Sequence, residues 1–372
     1  MNIIVLRDEL VNSLYAVERS VGFGSSLPML KNVLIRADGP TITVTATNLE
    51  FAVIYSFQGK VINSGSISVP FHLLNSVIKN LNSEKLSISV REGNVVDITT
   101  DNYNASLHGF DAKDYPIIPS IHKSDGKINI NIESFTEAIE CVIGSTQYSE
   151  IRPEISGVFM EANSDSMRFV ATDGFRLAEK EISGFHMDLS GLDGIGVIIP
   201  LRSVEEIYRL LKTQKEGDLN IFVDQTQILF KTERMEMISR VVDGNFPEYK
   251  AIIPKDAAIE AILPRRELMS AIKLTSSFSG KNNDLLFASG ENGKFIELSS
   301  SDGSVGQNTY RITSKIKGGG FSLLFNWKYL MEGIKIFNTD EVIIGVNADD
   351  KPVKIKSAGD ISLVYVVVPM KK

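Results

Sequence analysis

The side chains best suited to hold a metal or move a proton are four histidines, His72, His108, His122 and His186, and no two of them share a metal-ligand spacing. The chain has no HExxH, no paired cysteines and no EF-hand loop, so no metal is expected. The single cysteine, Cys141, lies in FTEAIECVI at helical spacing from Phe135 and Ile139. It reads as a small core residue, and no disulfide can form within the chain. Gly280-Lys281 lacks the upstream glycine and the following hydroxyl of a phosphate loop, and KGGGF at 317–321 reads as a strand connection. GFGSSLP near residue 24 lacks the strand-turn-helix setting of a nucleophile elbow. A hydrolase or nuclease would be left with Asp173 and His186, and an Asp before Gly is first a turn former. Neither an enzyme nor a cofactor is expected.

Cations offer a different chemistry. Nine residues beyond Pro70, Pro200 and Asn326 stand Lys79, Arg209 and Lys335, each on an amphipathic stretch: VPFHLLNSVIKNL, IPLRSVEEIYRLL and FNWKYLMEGIKIF. The row reads either as a solvated face or as phosphate contacts that ignore base sequence.

These residues are carried by elements that recur in register along the chain. NIIVLRDELVNSLYAVERS, KININIESFTEAIECVIGS and IEAILPRRELMSAIKLTSS each read as a strand followed by a helix, with Leu10, Phe135 and Leu268 in register. Apolar residues at 73, 74, 77, 78 and 81, and at 204, 207, 208 and 211, give the second helices one buried face. ITVTATNLEFAVIY, MRFVATDGFRLAEKEI and IELSSSDGSVGQNTYRI each read as two strands around a small polar corner, the second at an Asp-Gly turn. The junctions DYPIIPSI and NFPEYKAIIPKD carry proline pairs that cannot sit in a central strand. An α+β unit is therefore present three times, at 1–127, 128–258 and 259–372, each with two helices and antiparallel sheets.

Apolar residues make up 43% and charged residues 23% of the 372, the profile of a globular protein. No stretch approaches the ~18 apolar residues of a membrane helix and no leader pattern opens the chain, so a cytoplasmic protein is expected. The net charge is −7. Lys plus Arg against Asp plus Glu is 11 to 12 in the first third, 13 to 22 in the second and 15 to 12 in the last. An acidic exterior can still keep basic residues on one chosen surface.

ATDGFRLA, VDGNFPEYKAIIPK, LLFNWKYL and YVVVPMKK, taken in order, closely resemble the bacterial DNA polymerase III beta subunit family, the sliding clamps. The resemblance implies three tandem clamp domains forming half of a closed ring, completed by a head-to-tail homodimer around double-stranded DNA. Lys79, Arg209 and Lys335, with Arg152, would then face DNA. It also implies a cleft for short peptides of the polymerase III catalytic subunit, the clamp loader, translesion and repair polymerases and mismatch-repair proteins. Matching positions are Thr172, Gly174, Arg176 and Leu177 in the turn and Pro247 in the linker. Asn326, Tyr329, Val366, Val367, Val368, Pro369 and Met370 follow, with Ile155 and Ile252 as conservative equivalents. Phe175 stands where members often carry a polar residue and Ala251 where arginine is common. Gly24 and the Pro153-Glu154 pair stand where some members have DNA-contacting side chains. Leu107 on one side and Leu274 and Phe278 on the other are the subunit-interface candidates. A protein-interaction scaffold without DNA is the alternative reading. A terminal PM after an apolar run suits adaptable docking without reference to the family, because flexible Met favours varied partners.

Overall fold

The computed structural model describes residues 1–121, 126–188, 194–214, 216–290 and 293–371, which leaves His122 outside the described residues. Six α-helices occur among them: α1 Arg7–Val17, α2 Phe71–Asn80, α3 Ile132–Val142, α4 Leu201–Lys212, α5 Arg265–Ser276 and α6 Trp327–Lys335. Pro70, Pro200 and Asn326 each end a strand directly before α2, α4 and α6, as the register requires. One face of each first helix is apolar and buried. Leu10, Leu14 and Val17 of α1, Phe135 and Ile139 of α3, and Leu268 and Ile272 of α5 are all at most 1% exposed. Cys141 lies with that set, buried in α3.

The described chain forms two compact units. The first comprises Met1–Ile132, Phe185–Leu192 and Arg209–Val241; the second comprises Glu133–Gly184, Asp193–Tyr208 and Val242–Lys372. All strand pairs in both units are antiparallel. In the first unit, strand Met235–Arg240 pairs with Phe51–Gln58 and so fuses central-third strands to the N-terminal ones in a nine-stranded sheet. In the second unit, strand Arg176–Ile182 pairs with Leu363–Val367 and does the same with the C-terminal strands. The two sheets share one strand order. Each unit adds a smaller sheet, five-stranded in the first and four-stranded in the second.

The corner read three times in the sequence is built twice in one way. Thr47 Oγ1 donates to the Phe51 carbonyl while Asn48 Oδ1 accepts from the amides of Glu50 and Phe51. Thr172 and Asp173 repeat this pattern with Arg176, Phe175 and Arg176 in turn. The corner spans three residues rather than the two of a tight Asp-Gly hairpin, with positive φ at Leu49 in one copy and Gly174 in the other. The third copy differs: Asp302 accepts from Ser304, and positive φ falls at Gly306. Helix α6 carries one glycine of necessity, since a Cβ on Gly333 would stand 2.2 Å from the fully buried Tyr365 ring.

Candidate functional site

The second unit gathers most of the sequence-derived docking residues around the corner at 173–175. Strands Met167–Thr172 and Arg176–Ile182 bring Thr172 opposite Leu177, and Asp173 then holds the corner rigid through two backbone amides. The same carboxylate accepts from Arg176 Nε at 3.0 Å. The Arg176 guanidinium lies 4.4 Å from the centre of the Tyr329 ring and pairs with Glu332, so a side chain only 10% exposed is neutralised from two sides. Tyr329 is held in turn from below, where Tyr365 donates to its carbonyl at 2.8 Å. Above it Phe175, 60% exposed, stacks at 6.3 Å.

The C-terminal segment closes the other side. Val366 and Val367 pair with Leu177 and Arg176. Val368 donates to the Phe175 carbonyl at 2.9 Å and Met370 to the Leu324 carbonyl at 2.7 Å. Leu177, Val366, Val367, Pro369 and Ile155 are buried, so they form a floor, whereas Phe175, Ile252 and the half-buried Tyr329 and Met370 present the reachable apolar surface. Asn326 acts as a helix cap, accepting from the Lys328 amide at 3.0 Å. The linker joins this floor through a cluster of Val170, Leu177, Tyr249 and Val366, with Phe246 and Ile253 packed on it and Phe246 stacked 4.9 Å from Phe159. Pro247 lies half-buried between those two aromatics of the linker. Arg152 reaches over the corner, within 3.6 Å of where a Cβ on Gly174 would be, and pairs with Glu154.

The basic row divides. Lys79 and Lys335 are exposed in the last turns of α2 and α6. Arg209 is half-buried and donates from Nη2 to the Tyr15 and Ala16 carbonyls at 3.3 and 3.1 Å, with its guanidinium 4.6 Å over the Tyr15 ring. These carbonyls belong to the last turn of α1, where a cation is favoured. Arg209 therefore anchors a helix end, a departure from its equivalence with the two lysines. The sequence reading also passed over Arg7 and Arg265. Arg7 donates to the carbonyls of Ile78 and Lys79, and Arg265 to those of Ile334 and Lys335, clamping the ends of α2 and α6 alike. Their signal was available: both open a first helix, where the central copy has Ile132.

Of the interface candidates, Leu274 is 54% exposed and Phe278 half-buried. Leu107 is only 6% exposed, because it lies on the buried face of its sheet opposite Val96; what that strand, Asn104–His108, offers is the outer edge of the five-stranded sheet. Strand Gly306–Thr313 is likewise an edge of the four-stranded sheet. No group of three or more His, Cys, Asp or Glu suited to a metal gathers among the described residues. No helix is long and apolar enough to cross a membrane.

Comparison with known proteins accounts for the repeated architecture. Residues 1–119, 129–248 and 250–371 match, in order, the N-terminal, central and C-terminal domain families of the DNA polymerase III beta subunit. The chain belongs to the DNA polymerase III beta subunit family. Beta sliding clamps of Synechocystis and Bacillus subtilis are each 26% identical to it, over 100% of this chain and 99% and 100% of theirs. The crystal structure of the Bacillus subtilis sliding clamp shares its fold with a TM-score of 0.94 at 24% identity, covering 100% of this chain and 99% of that one. A DnaN sliding clamp from Bartonella birtlesii, solved bound to griselimycin, superposes at 0.92 with 25% identity and full coverage of both chains. Three tandem clamp domains with antiparallel sheets are thus the architecture of this beta subunit relative.

Proposed function

We propose that the chain is a non-catalytic DNA sliding clamp, a ring-shaped dimer that encircles duplex DNA and tethers the replicative polymerase. The observation that carries this is the run of three beta-subunit domain matches across almost the whole length in family order. The acidic balance of −7 suits a ring that holds DNA by topology, with exposed Lys79 and Lys335 as sequence-blind phosphate contacts. Arg152 joins them only if it leaves Glu154. The domains run 1–127, 128–258 and 259–372. Among the described residues Asn104–His108 and Gly306–Thr313 are sheet edges, and Phe278 lies beside the second, 3.9 Å from where a Cβ on Gly306 would be; these edges support a head-to-tail dimer contact.

Phe175, Tyr329, Ile252 and Met370 over their buried floor form the docking site for linear peptides of the polymerase catalytic subunit, the clamp loader, translesion and repair polymerases and mismatch-repair proteins. The protein works in the cytoplasm. Primer extension on a long single-stranded circle, with polymerase III core, loader and ATP, tests the assignment. Adding the chain should lengthen products from short stretches to full circles. Unchanged product length with an active loader would overturn it.

A further inference from the structure

The two nine-stranded sheets are the same sheet made twice, so their residues can be matched through strand register. Asn32 pairs with Pro70 and Gly157 with Pro200, and the ladders run on in step. Leu34, Arg36, Thr45, Ala52 and Ile238 of the first unit therefore stand where the second has Phe159, Glu161, Val170, Leu177 and Val366. The junction segments match as well. Tyr115-Pro116 is followed at once by Ile117-Ile118-Pro119, whereas Phe246-Pro247 is followed by Glu248-Tyr249-Lys250-Ala251 and then Ile252-Ile253-Pro254.

Those four extra residues have a visible task. Tyr249 fills the space over Val170, Leu177 and Val366, and Lys250 pairs with Glu161 at 3.0 Å. In the first unit the junction has no such insert. Tyr115 occupies the place of Phe246, buried, with its hydroxyl 3.3 Å from the Asn32 carbonyl. Between this junction and the sheet a groove of about 1000 Å³ is left, lined among others by Thr45, Ile54, Ile118 and Ile238. Arg36, exposed at its wall, replaces Glu161, and among the described residues it makes no ion pair. Lys113 adds a second exposed cation to the same wall.

We propose that this groove is a second docking site, which takes an extended partner peptide carrying an aromatic residue followed by an acidic one. The aromatic ring takes the place that Tyr249 takes in the second unit, and the carboxylate meets Arg36 as Lys250 meets Glu161, with the charges exchanged. Apolar walls with a few polar fixing groups are the usual make-up of such sites.

The test uses the full chain and two fluorescein-labelled peptides, acetyl-Pro-Glu-Tyr-Glu-Ala-amide and acetyl-Pro-Glu-Tyr-Lys-Ala-amide, titrated by anisotropy. The glutamate peptide should bind the more tightly, by about tenfold. Arg36→Glu should reverse that order. A chain with Glu-Tyr-Lys-Ala inserted after Pro116 together with Arg36→Glu should bind neither peptide, its groove being filled by its own tyrosine, while thermal melting shows both variants folded. Equal affinity for the two peptides, binding of neither by the unaltered chain, or an order unmoved by Arg36→Glu overturns the proposal.

Discussion

Replacing Tyr249 by alanine isolates the packing that joins linker to sheet beneath the proposed docking surface. The side chain is 4% exposed and covers Val170, Leu177 and Val366, with Phe246 edge-on at 6.0 Å. Truncating a buried aromatic to alanine costs about 3–5 kcal/mol, the spread reflecting how far the surroundings collapse. Tyr249 sits on a short 3₁₀ turn, Tyr249–Ala251, that can settle into the void, so the lower end, about 3 kcal/mol, is expected. Tyr249→Phe keeps the ring and should lose at most about 1.5 kcal/mol. Urea unfolding, with the slope checked for constancy, reads both values. Tyr249→Ala losing less than about 1 kcal/mol, or Tyr249→Phe losing as much as Tyr249→Ala, would refute the packing argument.

Three further outcomes follow from named contacts. Arg209→Ala, which strands two carbonyls of α1, should lower stability by about 1–2 kcal/mol, whereas Lys79→Ala and Lys335→Ala should stay within about 0.5 kcal/mol yet reduce the salt-sensitive part of DNA association. Phe175→Ala, at the exposed aromatic pair with Tyr329, should weaken partner-peptide affinity about tenfold in calorimetric titration while leaving thermal stability unchanged. Burial lifts the Cys141 thiol from 9.0 to about 11. The unfolded thiol ionises first, so stability present below pH 9 is lost as pH rises towards 11. Cys141→Ala should make that alkaline decline shallower in pH-dependent denaturation; the buried Tyr115, Tyr249 and Tyr365, also raised chiefly by desolvation, contribute to the same decline.

Much of the fold was legible because its signals are local. Helical spacing located all six helices, and the register of Leu10, Phe135 and Leu268 named three residues at most 1% exposed. The corner at Asp173 was legible too, though its three-residue form depends on Thr172, whose hydroxyl closes it. What stayed hidden is set by long-range pairing. The fusion of Met235–Arg240 with Phe51–Gln58 joins segments far apart in sequence that no periodicity links. Arg209 looked equivalent to Lys79 by spacing, yet its partners lie 193 and 194 residues away. Leu107, an interface candidate through the family resemblance alone, is 6% exposed because strand alternation turns it to the buried face. The floor and the surface of the proposed docking site likewise look alike in a run such as LVYVVVPM, and pairing alone separates buried Val366 and Val367 from Met370.

The central claim is that the protein holds DNA by encircling it. Loading it with a clamp loader and ATP onto a nicked circular plasmid, then cutting the plasmid once, tests this most directly. Retention on the circle through gel filtration and release on linearisation is the result predicted. Equal retention on both forms would mean ordinary contact binding and contradict the account.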